Sequence, residues 1–586
     1  MAAQTRSWRY YWRGFWMLGK DFWFAKESRK SWFVLAVVLV MNIASVGLTV
    51  VLNDWYREFW DVLQSYQFHR FWPLVGQFTL LATVLIALGI YSVYLRQWIQ
   101  IEWRQYMTEA YLNRWLDKKS YYMLKVLGYD TDNPDQRIQE DINSFANLTL
   151  TLTLGMVSQV VSLVAFVVIL WNLSAVVYLP IGDEALPIYG YMVWLSLLYS
   201  IGGTYLTHKV GRKLIGLNYE QQRREADFRF SMVRLRENSE SIAFYRGEGP
   251  EMTGFKERFV EVVQNFRAIM KRQKLLNGFT TGYEQLAIII PILLISPRWF
   301  AQEVQVGWIM QVLNAFGRVQ NAMSYFVSVY DSLAQWCAVV SRLYDFEEHM
   351  QAQGQVSSAV VYEPSDTAGV KNLTVQLPDG TVLIEGLSFT MADCQRLLIT
   401  GKSGAGKSTL LRTMAGLWPY ATGTVLAVDG ALFLPQRPYL PLGTLRRAIY
   451  FPKAEAYDQD EQLKAWLTRC GLGKLVGSLD EEGDWSRILS LGEQQRIAFL
   501  RILLYKPTVV FLDEATSAMD EGLEKRMYEW LSEELPDTKV ISVGHRRTLY
   551  EMHEQQLALL ATGYEEARRG EGEALDAVVN RLKAEL

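Results

Sequence analysis

At 586 residues the chain exceeds one domain, and two to four are expected. Half of it is hydrophobic, 13% is aromatic and 20 residues are Trp, with the long apolar runs clustered before residue 331, a pattern foreign to an ordinary soluble enzyme. The net charge of −3 gives no reason to expect a nucleic-acid partner, and Cys337, Cys394 and Cys470 lack metal-ligand spacing, as incidental thiols of a reducing compartment do.

The first 31 residues hold seven Lys/Arg, but the apolar run that follows is too long for a signal-peptide core, so this start is expected to stay on the protein. Residues 8–24 mix Trp, Tyr and Phe with Arg and Lys. Such a segment reads either as an amphipathic helix in the membrane interface or as a structural aromatic cluster. Six stretches are then long enough to span the hydrocarbon core as helices: Trp32–Leu52, Pro73–Leu95, Leu148–Leu173, Ile188–Leu206, Asn277–Ser296 and Val306–Val329. Residues 207–275 carry 15 Lys/Arg, whereas the alternate connections hold few. The positive-inside bias therefore puts both termini and the 96–147 and 207–276 connections in the cytoplasm.

Those two connections are patterned as helices that continue below the membrane. Each carries a turn candidate: Asn133-Pro134-Asp135 in the first, Phe244-Tyr245 within Asn238–Gly247 in the second. Either turn could be a plain solvated loop or a surface that couples to a second domain. In the last span Gln311, Asn314, Arg318 and Asn321 share one helical face, and in the fifth Glu284 lies near the cytoplasmic side, with Pro291 a local break. Two readings stand: Glu284, Asn314, Arg318 and Asn321 line a wet cavity, or a Glu284–Arg318 ion pair holds the bundle together. Small polar residues at 351–369 read as a linker. The expected division is a transmembrane domain over 1–350, the linker, a soluble domain over 370–562 and a tail over 563–586, where Leu575, Val579 and Leu582 suit a contact helix or a solvated end.

After Val370 short β-branched runs alternate with helices, as in an α/β domain. Gly401–Ser408 fits G-x-x-x-x-G-K-[ST] between a strand-like and a helix-like segment. The loop glycines Gly401, Gly404 and Gly406, with Ser403 and Thr409, would close backbone N–H groups on phosphate, Lys407 would reach the β/γ-phosphates and Ser408 would ligate Mg²⁺. Four further signals follow in order: Gln436 at a strand end, Leu489–Arg496 opening a helix, Asp513-Glu514 ending an apolar strand and His545 ending another. Asp513 suits a Mg²⁺ ligand, Glu514 a group that orients the attacking water, and His545 a γ-phosphate contact. Gln436 suits a sensor of metal or water.

On these residues the chain resembles the ATP-binding cassette (ABC) transporters over nearly its full length. Gly401–Ser408 is similar to their Walker A, Gln436 to the Q-loop, Leu489–Glu493 to the signature, Asp513 and Glu514 to Walker B with its glutamate, Ser517–Asp520 to the D-loop and His545 to the switch histidine. The resemblance implies an exporter-type helical membrane domain plus an α/β P-loop domain, with ATP and Mg²⁺ bound. One cassette and six spans imply a half-transporter acting as a homodimer, in which Ser490, Gly492 and Glu493 of one copy complete the ATP site of the other. Asn133–Arg137, Ser241–Tyr245, Gly416–Pro419 and Leu434–Tyr439 resemble subfamily D and its bacterial relatives with an SbmA/BacA-like membrane half. That implies a protein of the bacterial cytoplasmic membrane, in contact with lipid, taking up a hydrophilic or amphipathic small molecule or peptide such as cobalamin. Alternatives are a lipid, acyl-CoA or drug exporter, a soluble repair or translation ATPase, and an ATP-binding membrane receptor with little turnover. Two departures stand out: Leu491 replaces the first signature glycine, and Leu377, with Tyr362 more remote, replaces an aromatic adenine platform.

Overall fold

The computed structural model describes residues 7–129, 133–174, 177–181, 184–354, 359–453, 460–560 and 563–568. They fall into two units, one within Met1–Asp117 and Thr131–Met350, the other within Lys118–Asp130 and Gln351–Leu586.

The first unit is helical because its apolar runs are long and an apolar helix satisfies all its backbone groups internally. Its main elements are α1 (Trp8–Trp23), α2 (Arg29–Gln64), α3 (Phe68–Leu116), α4 (Ile142–Leu173), α5 (Tyr191–Glu237), α6 (Ser239–Tyr245), α7 (Glu248–Phe300), α8 (Val306–Ser328) and α9 (Tyr330–Gln353). All six expected spans fall on long helices, though Ile188 itself ends a hairpin strand, Glu184–Ile188, and the helix begins at Tyr191. Among the described residues four stretches are long and apolar enough to cross a membrane: Lys26–Gln64, Phe68–Val126, Pro134–Leu173 and Glu248–Phe300. The spans on α5 and α8 are less apolar, α8 because of its Gln, Asn and Arg residues. At 53 residues, α7 would measure about 80 Å, well beyond a bilayer. It runs through Pro291 as one continuous helix, against the expected break, and Pro291 is buried, where packing can offset the backbone bond that proline forfeits.

Packing is dense around Phe166, Leu170, Met192, Phe316 and Val319, where α4, α5 and α8 meet. The ends of α2 and α8 are tied by polar groups: Asp61 Oδ1 accepts from Gly307 N at 2.9 Å, Gln64 Oε1 from Val306 N at 2.9 Å and Asp54 Oδ1 from Gln311 Nε2 at 2.7 Å. Helix α1 buries Gly14, Leu18, Gly19 and Phe22, the last stacked on Trp103 with ring centres 5.7 Å apart. Its Trp8, Trp12 and Trp16 remain exposed on the other face.

Among the described residues the second unit contains two large sheets and a short antiparallel pair, Gly443–Thr444 with Glu482–Gly483. A four-stranded sheet runs β1-β5-β2-β3, with β1 Ala359–Pro364, β2 Gly369–Gln376, β3 Val382–Thr390 and β5 Ala421–Ala427. The linker expectation therefore fails at 359–364. Val360 and its β-branched neighbour pair with β5, a tertiary partner that local composition does not reveal. The six-stranded sheet runs β10-β9-β4-β8-β7-β6. Its strands are β4 Arg396–Gly401, β6 Leu432–Leu434, β7 Val509–Asp513, β8 Lys539–Val543, β9 Gln555–Leu560 and β10 Gly563–Arg568. All are parallel except β10, so the start of the expected tail is an edge strand. Leu575, Val579 and Leu582 lie outside the described residues. Helices α10 (Lys407–Met414), α11 (Leu491–Tyr505) and α12 (Glu521–Glu534) follow β4, a capped turn and β7.

Candidate functional site: a phosphate loop at the ends of parallel strands

Strand β4 is buried through its middle and delivers the loop 401–406 to the carboxyl end of the sheet, where parallel α/β sheets bind ligands. Gly401 (φ +147°) and Gly406 (φ +88°) adopt conformations that side chains disfavour. A Cβ on Gly401 would also lie 2.6 Å from the Leu559 carbonyl, so the close strand–loop approach requires glycine. Ser403 and Gly404 are exposed at the loop crest, and Thr409 sits in the first turn of α10. Lys407 folds back, donating from Nζ to the carbonyls of Gly401 (2.7 Å) and Lys402 (2.8 Å). Burial lowers its pKa, while Glu514 and Asp513 act the other way.

Strand β7, separated from β4 by β8, ends at Asp513, whose carboxylate accepts from Ser408 Oγ at 3.0 Å. Burial raises the Asp513 pKa, against the lowering by that hydrogen bond. A half-buried carboxylate and a hydroxyl converging beside the loop form the all-oxygen donor set that a Mg²⁺ ion takes together with nucleotide phosphates, so these residues fit the ion. Glu514 has φ +48°, a left-handed conformation rare for a side-chain-bearing residue. It is held there by its N–H, which donates to Val543 O at 3.1 Å. Gln436, at the end of β6, donates from Nε2 to Glu514 Oε2 at 2.8 Å. His545 follows β8, exposed, with no hydrogen bond among the described residues. Lys407, Ser408, Asp513, Glu514 and Gln436 are thus one connected cluster.

Ser490, Gly492 and Glu493 form a second cluster. Ser490 caps α11 with a reciprocal box: its hydroxyl accepts from Glu493 N, and Glu493 Oε2 accepts from Ser490 N at 2.9 Å. Lys474 holds the other Glu493 oxygen at 2.6 Å, and this contact, with the bonds from Ser490, lowers the Glu493 pKa to about 2. Glu493 therefore shapes the helix start rather than facing outward. Leu491 occupies the first helical position without disturbing the cap. A Cβ on Gly492 would lie 2.7 Å from the Ala518 carbonyl, which explains the glycine there. Among the described residues no hydrogen bond joins this cluster to the loop 402–408.

The remaining predicted residues are placed as follows. Asn133 (φ +47°) and Asp135 are exposed at a one-turn helix that Pro134 opens, and Phe244 and Tyr245 project from α6 at 79% and 86% exposure. Asp141, buried next to the first turn, is clamped by Arg137 (2.7 Å) and Arg342 (2.5 Å). Glu284, Asn314, Arg318 and Asn321 are all exposed in the chain, and among the described residues no ion pair joins Glu284 to Arg318. Gln311 turns inward to Asp54 instead. Tyr362 donates to Thr413 O at the far end of α10, while Leu377 closes the β2–β3 hairpin. Lys474, Gln495 and Arg546, which no motif assignment had given a role, also tie the site together.

A model of the ABC transporter transmembrane region 2 matches residues 21–300. The ABC transporter model matches residues 384–517. An uncharacterized ABC transporter ATP-binding protein of Haemophilus influenzae is 38% identical over 94% of this chain and 92% of its own length. The chain is an ABC transporter. It is 34% identical to the inner membrane ABC transporter ATP-binding protein YddA of Escherichia coli, over 90% of this chain and 94% of that one. It is 29% identical to the mouse lysosomal cobalamin transporter ABCD4, over 92% and 94%. A bacterial Atm1-family ABC exporter solved with ATP bound shares the transporter's fold, with a TM-score of 0.74 at 18% identity, covering 94% and 98% of the two chains. The cassette is thus the ATPase module of a membrane transporter.

Proposed function

We propose that the transporter works as a homodimer that couples MgATP hydrolysis to alternating access, for uptake of hydrophilic or amphipathic solutes of the cobalamin or peptide class. One observation carries the solute reading. Arg318, in mid-span, is exposed and flanked one turn away on either side by Asn314 and Asn321. A guanidinium facing lipid is costly, so this stripe belongs on a water-filled pathway, and Glu284 is assigned to the same pathway. The relative named for lysosomal cobalamin transport supports a solute of that class.

At the nucleotide, Lys407 and the loop N–H groups hold the phosphates, with Ser408 and Asp513 as the Mg²⁺ ligands. Bound there, the ion would neutralise phosphate charge. Glu514, held by Gln436, orients the attacking water, and His545 contacts the γ-phosphate side. Ser490 and Gly492 of a second copy cap the same nucleotide, which is why they do not join the loop within one chain. Asn133, Pro134, Asp135, Phe244 and Tyr245 pass the resulting motion to the spans. The Lys/Arg distribution supports cytoplasmic termini, the relative named as an inner membrane protein supports that membrane, and the exposed tryptophans of α1 suit the lipid interface.

The solved neighbour is an exporter, which favours a second reading, efflux of lipid, acyl-CoA or drug. Flux of labelled cobalamin, peptides and acyl-CoA in vesicles of known orientation separates the two. ATP-dependent movement of acyl-CoA or lipid towards the periplasmic face, with cobalamin and peptides inert, rejects the uptake reading.

A further inference from the structure

Gln495 is 1% exposed in the second turn of α11 and cannot touch a nucleotide, yet its amide is fully engaged. Nε2 donates to Gln436 O at 2.9 Å and to Ser517 Oγ at 3.2 Å, with Glu514 O at 3.5 Å. Oε1 accepts from Ala518 N at 2.9 Å. A single side chain of the signature helix thus joins the backbone of the Q-loop, the backbone of the catalytic carboxylate and the loop Ser517–Asp520. One turn earlier, Gly492 lies against the Ala518 carbonyl, so that loop is registered on α11 at two points.

The loop is gripped from its other side as well. Arg546, the neighbour of His545, donates from Nη1 to Met519 O at 2.6 Å and from Nη2 to Ser517 O at 2.5 Å. Its guanidinium is placed by Glu524, 1% exposed and 3.8 Å away, whose two oxygens also accept from Thr516 Oγ1 and Thr548 Oγ1 at 2.5 Å each. Three successive residues of the loop, 517 to 519, are therefore fixed by two buried or half-buried polar side chains. One comes from the helix that carries Ser490 and the other from the strand end that carries His545.

We propose that Gln495 is the positioning residue that makes the loop Ser517–Asp520 move with Gln436, with Arg546 as the opposing clamp. The proposal rests on the assignment of Gln436 and Glu514 to the hydrolytic site. When Gln436 shifts, the Gln495 amide transmits the displacement to Ser517 and Ala518, and Arg546 carries it to its neighbour His545. Both ends of the catalytic constellation then change together. A buried amide that donates twice and accepts once has no substitute of equal length, because Glu loses the donors and Met loses all three bonds.

The test uses full-length protein in lipid nanodiscs, with Gln495→Met, Gln495→Glu, Ser517→Ala and their combination, and Glu514→Gln as the separate control on the hydrolytic site. For both Gln495 variants kcat is expected to fall at least about tenfold while KM for ATP stays within about threefold. The Gln495→Met/Ser517→Ala double variant should be no slower than Gln495→Met, because the two residues act as one unit. Amide exchange at Ala518 should accelerate in Gln495→Met, which removes its acceptor, and in Ser517→Ala, which loosens the loop, while Gln495→Glu keeps an acceptor there and should change it less. Unchanged turnover in folded variants, or losses that multiply, would overturn the proposal. So would a fall in kcat matched by loss of ATP binding and melting temperature. If Gln495→Met fails to fold, Ser517→Ala decides alone: unaltered Ala518 exchange and turnover refute the coupling. Sustained turnover in Glu514→Gln would instead refute the assignment of the site itself.

Discussion

Replacing Glu514 by Ala and by Gly separates its backbone strain from its chemistry. Both variants remove the carboxylate and the 2.8 Å bond from Gln436, so on chemistry alone they are equivalent. They differ in what φ +48° costs: a Cβ in the left-handed region is unfavourable by about 1–2 kcal/mol, whereas glycine adopts it freely but loses more chain entropy on folding. The net expectation is that Glu514→Gly is more stable than Glu514→Ala by about 1 kcal/mol. For a cassette of this size that corresponds to about 3 °C in the melting transition of the nucleotide domain. Thermal unfolding of the full-length variants without nucleotide, read on the cassette transition, measures the difference directly. An Ala variant as stable as the Gly variant would refute the claim that the site stores strain at this residue. Both should lack turnover, which would make Glu514 a residue whose native conformation is kept for function at the expense of stability.

Gly492→Ala should force the loop at Ala518 to move, because its Cβ would lie 2.7 Å from that carbonyl; ATPase activity is expected to fall about tenfold or more, and wild-type turnover would contradict the packing. Gly307→Ala should destabilise the membrane unit by about 1–3 kcal/mol, since its Cβ would run into the Arg57 carbonyl and the Asp61 carboxylate, and an unchanged melting temperature in detergent would contradict the α2–α8 contact. His553, buried between Leu549 O (2.7 Å) and Ser542 Oγ (2.8 Å), has its pKa lowered to about 4 by that burial. Above an unfolded value near 6.5 the ring is neutral in both states. As pH falls from 6.5 to 4 the unfolded chain takes a proton that the folded one refuses, so stability declines by about 3 kcal/mol across that window. A cassette melting temperature whose acid slope is the same in wild type and His553→Gln would refute this.

The motif residues were legible because each sits at a strand end or helix start with its own local signature. Gly401–Ser408, Asp513 and Glu514 occupy the positions their strand–loop–helix setting predicts. The capping pattern Ser490–Glu493 was equally local, and it gives Glu493 a task at the helix start. Gln495, Arg546 and Lys474 were not legible, since their partners lie 19 to 59 residues away and only the folded chain brings them together. The strand at Ala359–Pro364 escaped notice for the same reason: its six residues carry too little periodicity to stand apart from a linker without β5 beside them. The turns in the long connections were readable from Asn-Pro and from the aromatic pair Phe244-Tyr245. The Asp141–Arg342 clamp beneath the first required the fold.

The most direct test of the account is ATP-dependent solute flux in sealed vesicles containing either the wild-type transporter or Glu514→Gln. The account predicts sustained flux and ATP hydrolysis by the wild type, with the variant binding ATP at near-normal affinity while both rates fall by about a hundredfold or more. Sustained ATP-driven flux in Glu514→Gln would contradict it.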